Sequence, residues 1–193
     1  MLEVDPALLE QRRRLGLDRR DEMWEGVLHM APASTNEHQR ILDELIMFLG
    51  PLLKAAGRGV LRSGINVFDE ASSSESYRIP DLTFVAAGRE ALFAADGIRG
   101  GGPDVVIEIR SPNDESYEKL PFYAKLGVRE AIIVDRDTKQ TEIIRRVGDR
   151  YEPVAPEADG SVASEVLGVC FALLDGPRLL VTDTADRSVS SAI

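Results

Sequence analysis

The chain has a single cysteine, Cys170, so it forms no internal disulfide and builds no cysteine-based zinc cage. Long apolar runs are also missing. The richest stretch, around residues 45–53, is too short and too interrupted to span a bilayer. The chain opens Met1-Leu2-Glu3-Val4-Asp5, without the basic segment and apolar stretch of a secretory signal, which makes the cytoplasm the expected setting. There is no internal repeat. Gly97, Gly100, Gly101 and Gly102 make no phosphate loop, since no Gly-Lys-Ser/Thr follows them, and they read as a flexible turn.

Positive charge is short as well: 23 basic residues stand against 33 acidic ones, for a net charge of −10. Such a balance argues against broad, nonspecific binding to a phosphate backbone. The charge is uneven, however. Residues 11–20 hold Arg12, Arg13, Arg14, Arg19 and Arg20 against one acid, Asp18, so a basic patch survives near the N-terminus of an acidic chain. Its plain explanation is the solvated side of a short helix. What is present is ordinary for a globular protein: 193 residues, 44% hydrophobic and 29% charged, enough for one domain with a proper core. A disordered chain, a collagen and a membrane bundle are excluded.

Asp5-Pro6 in front and Gly16 behind predict a helix over residues 6–15. Residues 24–30 predict a first strand or hairpin turning at Glu25-Gly26. Ser34-Thr35-Asn36-Glu37 matches a capping box, and Ile41, Leu42, Leu45, Ile46, Leu49, Leu52 and Leu53 continue as a broad apolar helix face, ended or kinked at Gly50-Pro51. Strands are predicted over residues 59–63, 65–69, 77–85, 104–110, 131–135, 141–146 and 166–171, with a polar loop at 71–76 and a helix at 118–126 closed by Gly127. This order predicts a single α+β domain, a mixed β-sheet flanked by helices.

Two of these runs carry chemistry. Alternation places Asp81, Thr83 and Val85 on one face of their strand, and Asp104, Val106, Glu108 and Arg110 on one face of theirs. If the runs pair antiparallel, a register opposing Val85 to Asp104 also opposes Asp81 to Glu108, with Cβ atoms about 4.5–5.5 Å apart. Two carboxylates so placed repel unless a proton or cation lies between them, and hard divalent cations favour such oxygen ligands. Glu108 sits inside the apolar run Val105-Val106-Ile107-Glu108-Ile109, where an acid needs a partner.

Pro80-Asp81, then Glu108-Ile109-Arg110-Ser111-Pro112, Glu118-Lys119-Leu120, Tyr123-Ala124, Gly127-Val128-Arg129-Glu130 and Ile133-Val134-Asp135 resemble the Uma-type restriction endonucleases. That family is a branch of the PD-(D/E)XK nuclease superfamily. Residues 24–28, Met30-Ala31-Pro32 and His38-Gln39-Arg40-Ile41 fit its N-terminal part, so the resemblance spans about residues 24–171. It implies a restriction-endonuclease-like fold over residues 21–174, with an N-terminal helical extension at 1–20 and a C-terminal tail at 175–193. It also implies that Asp81 and Glu108 bind Mg2+ or Mn2+ with the backbone carbonyl of Ile109, and that Lys119 is the catalytic cation. The superfamily's lysine two positions after the glutamate is here Arg110, which cannot become a neutral base.

His38 lies on the apolar seam of its helix and Tyr123 in an apolar segment. Both read first as packing residues and, with Arg110, stand as auxiliaries of the site. His29 has no ligand spacing to His38, Glu37 is accounted for by capping and Glu44 by exposure, while Cys170 and Trp24 read as packing residues. The function implied is hydrolysis of DNA phosphodiester bonds, by a homodimer if both strands are cut. The alternative is a nuclease fold kept as a binding or regulatory module, favoured by the charge of −10 and by Arg110.

Overall fold

The computed structural model describes the chain except residues 1–4, 32, 73, 74 and 149 and the side chain of Leu17. Met1–Val4, Pro32 and part of the loop expected at 71–76 therefore lie outside the described residues. In chain order the elements are α1 (Pro6–Leu15), a 3-10 turn (Leu17–Arg20), β1 (Glu22–Trp24), β2 (Val27–His29), α2 (Asn36–Ala55), β3 (Gly59–Ser63), β4 (Val67–Phe68), β5 (Tyr77–Arg78), β6 (Leu82–Ala86), β7 (Phe93–Ala94) and β8 (Gly97–Ile98). They continue with β9 (Val105–Arg110), α3 (Leu120–Lys125), β10 (Glu130–Asp135), β11 (Thr141–Val147), β12 (Arg150–Pro153), β13 (Val162–Ser164), β14 (Val169–Leu174), β15 (Arg178–Asp183) and β16 (Ser190–Ala192). The fold is mixed α+β.

The central sheet runs β12-β11-β10-β9-β6-β3 and is mixed: β9 and β10 are parallel, the other neighbours antiparallel. Its two faces follow the strand alternation. Leu82, Phe84, Val105, Ile107, Ile109, Ile132 and Val134 face a core built with Ile41, Leu42, Leu45, Leu49 and Leu53 of α2. Val85, Val106 and Ala131 face a second cluster with Phe122 and Tyr123 of α3 and Val67 and Ile98 of a small sheet ordered β2-β1-β5-β4-β8-β7.

The hairpin β1–β2 turns at Glu25 and Gly26, both at positive φ, the backbone of a tight two-residue turn. Asp5 caps α1 by accepting from Ala7 N at 2.8 Å, and Gly16 closes it in the left-handed conformation. At α2 the cap is Thr35, whose Oγ1 accepts from His38 N at 3.2 Å. Glu37 does not complete a capping box, because with Thr35 as the cap the third helical position falls on His38; the Glu37 carboxylate is held instead by Arg40 at 2.8 Å and Lys139 at 2.7 Å. Pro51 neither ends nor stops α2. It is exposed, one turn after the solvent-facing Met47, and lacks the N–H that would donate to that residue's carbonyl.

Three expectations change. The strand expected over residues 77–85 is two: β5 joins the small sheet, β6 the central one, and Ile79-Pro80-Asp81 bridges them. Gly97 is a strand residue rather than part of a flexible turn, since a Cβ there would meet the backbone oxygen of Asn66 at 2.3 Å. Residues 175–193 are folded. β15 and β16 complete a sheet ordered β13-β14-β15-β16, and Leu179, Val181 and Ile193 are buried in the α2-side core.

Candidate active site

Thr83 pairs with Val106 and Leu82 with Ile107, the register that opposes Asp81 to Glu108 one step further on. The two acids therefore meet where β6 begins and β9 nears its end. Asp81 Oδ2 accepts from the peptide nitrogen of Ile109 at 2.7 Å and lies 3.2 Å from His38 Nε2. Among the described residues its other oxygen, Oδ1, has no hydrogen-bond partner. Glu108 is 4% exposed, and its Oε1 accepts from the Tyr123 hydroxyl at 2.6 Å. Lys119, the N-cap residue just before α3, reaches Glu108 with Nζ at 3.2 Å from Oε1 and 3.3 Å from Oε2. Pro121 sits in the first turn of that helix, where its missing N–H is an orphan anyway.

Lys119 Nζ also lies 2.9 Å from Oε1 of Glu22. Glu22 is 6% exposed; it accepts from Ile79 N at 2.8 Å and from Trp24 Nε1 at 2.7 Å. Sequence patterning gives no hint of this acid, since a three-residue strand is too short to show alternation, and its partners come from distant segments. Around it, Trp24 stacks on His29 at 4.0 Å, and the buried guanidinium of Arg78 sits 4.2 Å from the Trp24 ring. Trp24 is thus half-buried against the site. His29 pairs with the exposed Glu115 at 2.8 Å and, among the described residues, makes no hydrogen bond to Asp81 or Glu108, so it is not brought into the site.

Arg110 lies at the edge of the site. Its Nη1 is 3.1 Å from Asp135 Oδ2 on the paired strand β10, and its guanidinium lies over Tyr117. Glu37 is engaged with Arg40 and Lys139, Glu44 is half-buried on α2, and Cys170 is half-buried on β14.

Burial sets the electrostatics. Desolvation pushes Glu108 up to about 8; Asp81 and Glu22 add to the rise, while Lys119 and the Tyr123 hydrogen bond oppose it. For Lys119 burial works against the charge, but Glu108 and Glu22 outweigh it and hold the ammonium above its ordinary value. Burial and the Glu108 charge raise the Tyr123 phenol strongly, so it stays a donor.

Among the described residues no three His, Cys, Asp or Glu side chains converge as a ready-made metal cage. The donor chemistry nevertheless fits a hard divalent ion: two facing carboxylates, one with a free oxygen, next to a strand backbone. A mixed sheet carrying such an acid pair is what the nuclease resemblance of the motifs implies. The family described as "Putative restriction endonuclease" (Uma2) matches residues 8–173, and the chain belongs to that family. The crystal structure of a "putative nuclease belonging to DUF820" from Anabaena variabilis ATCC 29413 superposes with a TM-score of 0.61 and 18% identity, covering 76% of this chain and 82% of that one. The fold is therefore restriction-endonuclease-like, as the motifs imply. No curated protein matches the chain.

Proposed function

We propose that the protein is a divalent-metal-dependent endonuclease that hydrolyses DNA phosphodiester bonds, with Asp81, Glu108 and Lys119 as its working residues. The observation that carries this reading is a buried ammonium held against one of two facing carboxylates. Asp81, Glu108 and the carbonyl of Ile109 would hold Mg2+ or Mn2+. Such an ion supplies a Lewis acid for the phosphoryl oxygen and a lowered pKa for a bound water. The chain's own residues do the rest. His38 and the Ile109 peptide aim Asp81, and Tyr123 aims Glu108. Lys119, held protonated, orients the attacking water and offsets charge on the phosphate. Arg110, tied to Asp135, serves the phosphate at one remove.

A homodimer places two such sites on two strands, and the cytoplasm keeps the lone thiol of Cys170 reduced. The helix α1 and its following turn supply the basic surface for the backbone. One observation favours a second reading, a binding or regulatory module: Arg110 stands where the superfamily has its lysine. An assay on plasmid and single-stranded DNA with Mn2+ tests both. Cleavage by the parent, lost in Asp81→Asn and in Lys119→Met, is expected, with Mn2+ still bound by the lysine variant. Metal binding with no cleavage under any condition would favour the module, and no metal binding in calorimetry would remove the nuclease reading.

A further inference from the structure

Glu22 is the one buried acid at the site that the reading above leaves without a task. Lys119 stands closer to it, at 2.9 Å, than to either oxygen of Glu108, at 3.2 and 3.3 Å. The same carboxylate grips the Ile79 peptide, two residues before Asp81, and the indole of Trp24. It thus ties β1, the bridge into β6 and the head of α3 to one point. The two N–H groups leave acceptor sites and the buried charge of this carboxylate uncompensated, and Lys119 supplies the balancing cation. The third contact sets Glu22 in competition with Glu108 for a single ammonium.

We propose that Glu22 is a positioning residue that draws the Lys119 ammonium towards itself, keeping the cation in reach of the reacting phosphate while leaving Glu108 open to a divalent ion. The proposal rests on the nuclease reading and deepens it. Without the charge on Glu22, Lys119 would fall wholly onto Glu108 and occupy the place a divalent ion needs. An ammonium and a divalent ion cannot both hold the same two oxygens at contact distance.

The test is a double-mutant cycle on Mn2+ affinity, read by calorimetry on the full chain. Glu22→Gln keeps the volume and an acceptor for Ile79. It is expected to weaken Mn2+ binding roughly tenfold to hundredfold, the range found when groups supporting metal ligands are removed. In a Lys119→Met background the same substitution should change the affinity by about twofold or less, because the competing cation is gone. Trp24→Phe removes the indole bond while keeping an aromatic ring against His29 and Arg78, and should leave the affinity near that of the parent. Thermal melts confirm that each variant is folded. An equal or larger loss from Glu22→Gln in the Lys119→Met background would overturn the proposal, because Glu22 would then act on the ion directly. An unchanged affinity in Glu22→Gln would overturn it too. If the parent binds no Mn2+, the nuclease reading falls and takes this inference with it; if the parent binds and cleaves but the cycle is additive, only this inference falls.

Discussion

At Glu108 burial works against charge, and that opposition has a consequence in the metal-free protein. Its folded pKa of about 8 lies above the ordinary 4.5. A group raised in this way contributes stability that is complete below its unfolded value and is lost as pH rises through the folded one. The melting temperature of the parent in a chelator should therefore fall between about pH 4.5 and pH 8. Glu108→Gln should flatten that fall, because Lys119 keeps Glu22 as its partner and no buried charge is orphaned. Scanning calorimetry across this range checks it, and an equally steep fall in the variant would mean that another group titrates there. Asp81 and Glu108 are legible in the sequence because period-two alternation and a simple antiparallel register bring them face to face. Lys119 is legible only through the family resemblance. Glu22 is not legible, and the contact of His38 with Asp81 is not either, because both depend on how a hairpin and a long helix dock.

At the scale of elements, the central strands and α2 are readable from their apolar periodicity. The break between β5 and β6 is not: nothing local marks the point where a chain leaves one sheet for another, apart from Pro80. The C-terminal sheet is a different matter. Asp175-Gly176 lies between the apolar runs of β14 and β15, which pair Leu174 with Arg178 across the turn, a hairpin signal available in the sequence. The family motifs end before it, so the resemblance leaves the segment as a tail. This sheet is also bound to the central one through Glu130, fully buried, which accepts from Ser164 Oγ at 2.5 Å and from Arg145 Nε at 2.9 Å. Deleting residues 177–193 removes Leu179, Val181 and Ile193 from the core. At about 1.5–3 kcal/mol each this approaches the whole stability of a domain, roughly 5–15 kcal/mol. The truncated chain should show no cooperative melt by circular dichroism, whereas a dispensable tail would leave the transition where it was.

For the whole molecule, the proposed DNA substrate raises the question of how a chain of net charge −10 approaches a polyanion. The excess of arginine in residues 11–20 sits on α1 and its following turn, and α1 buries none of its residues. The last-turn arginines suit the negative end of the helix dipole, but that accounts for Arg12, Arg13 and Arg14 and not for Arg19 or Arg20. Arg12 fastens the helix by pairing with Asp21, and Arg20 reaches Ser34 Oγ at 2.5 Å, just before the cap of α2. The arm therefore joins the body next to Glu22 on one side and near His38 on the other. Arg13 has only an exposed contact with Glu10 at 3.9 Å, and among the described residues Arg14 and Arg19 have no ion-pair partner. Three exposed guanidinium groups thus remain for phosphates on the proposed reading, while no helix among the described residues is long and apolar enough to cross a membrane. Replacing Arg13, Arg14 and Arg19 by Gln should lower the slope of log affinity against log salt by about 2 to 3, close to 0.9 for each duplex phosphate that is no longer neutralised. Anisotropy of a labelled duplex, with Ca2+ present to prevent turnover, measures this. The melting temperature should stay near that of the parent, since all three side chains are exposed and the Arg12–Asp21 pair is untouched. A Lys-for-Arg triple variant should restore most of the slope, because the counterion term depends on charge and not on guanidinium geometry. An unchanged slope in the Gln variant would show that the duplex approaches from another side.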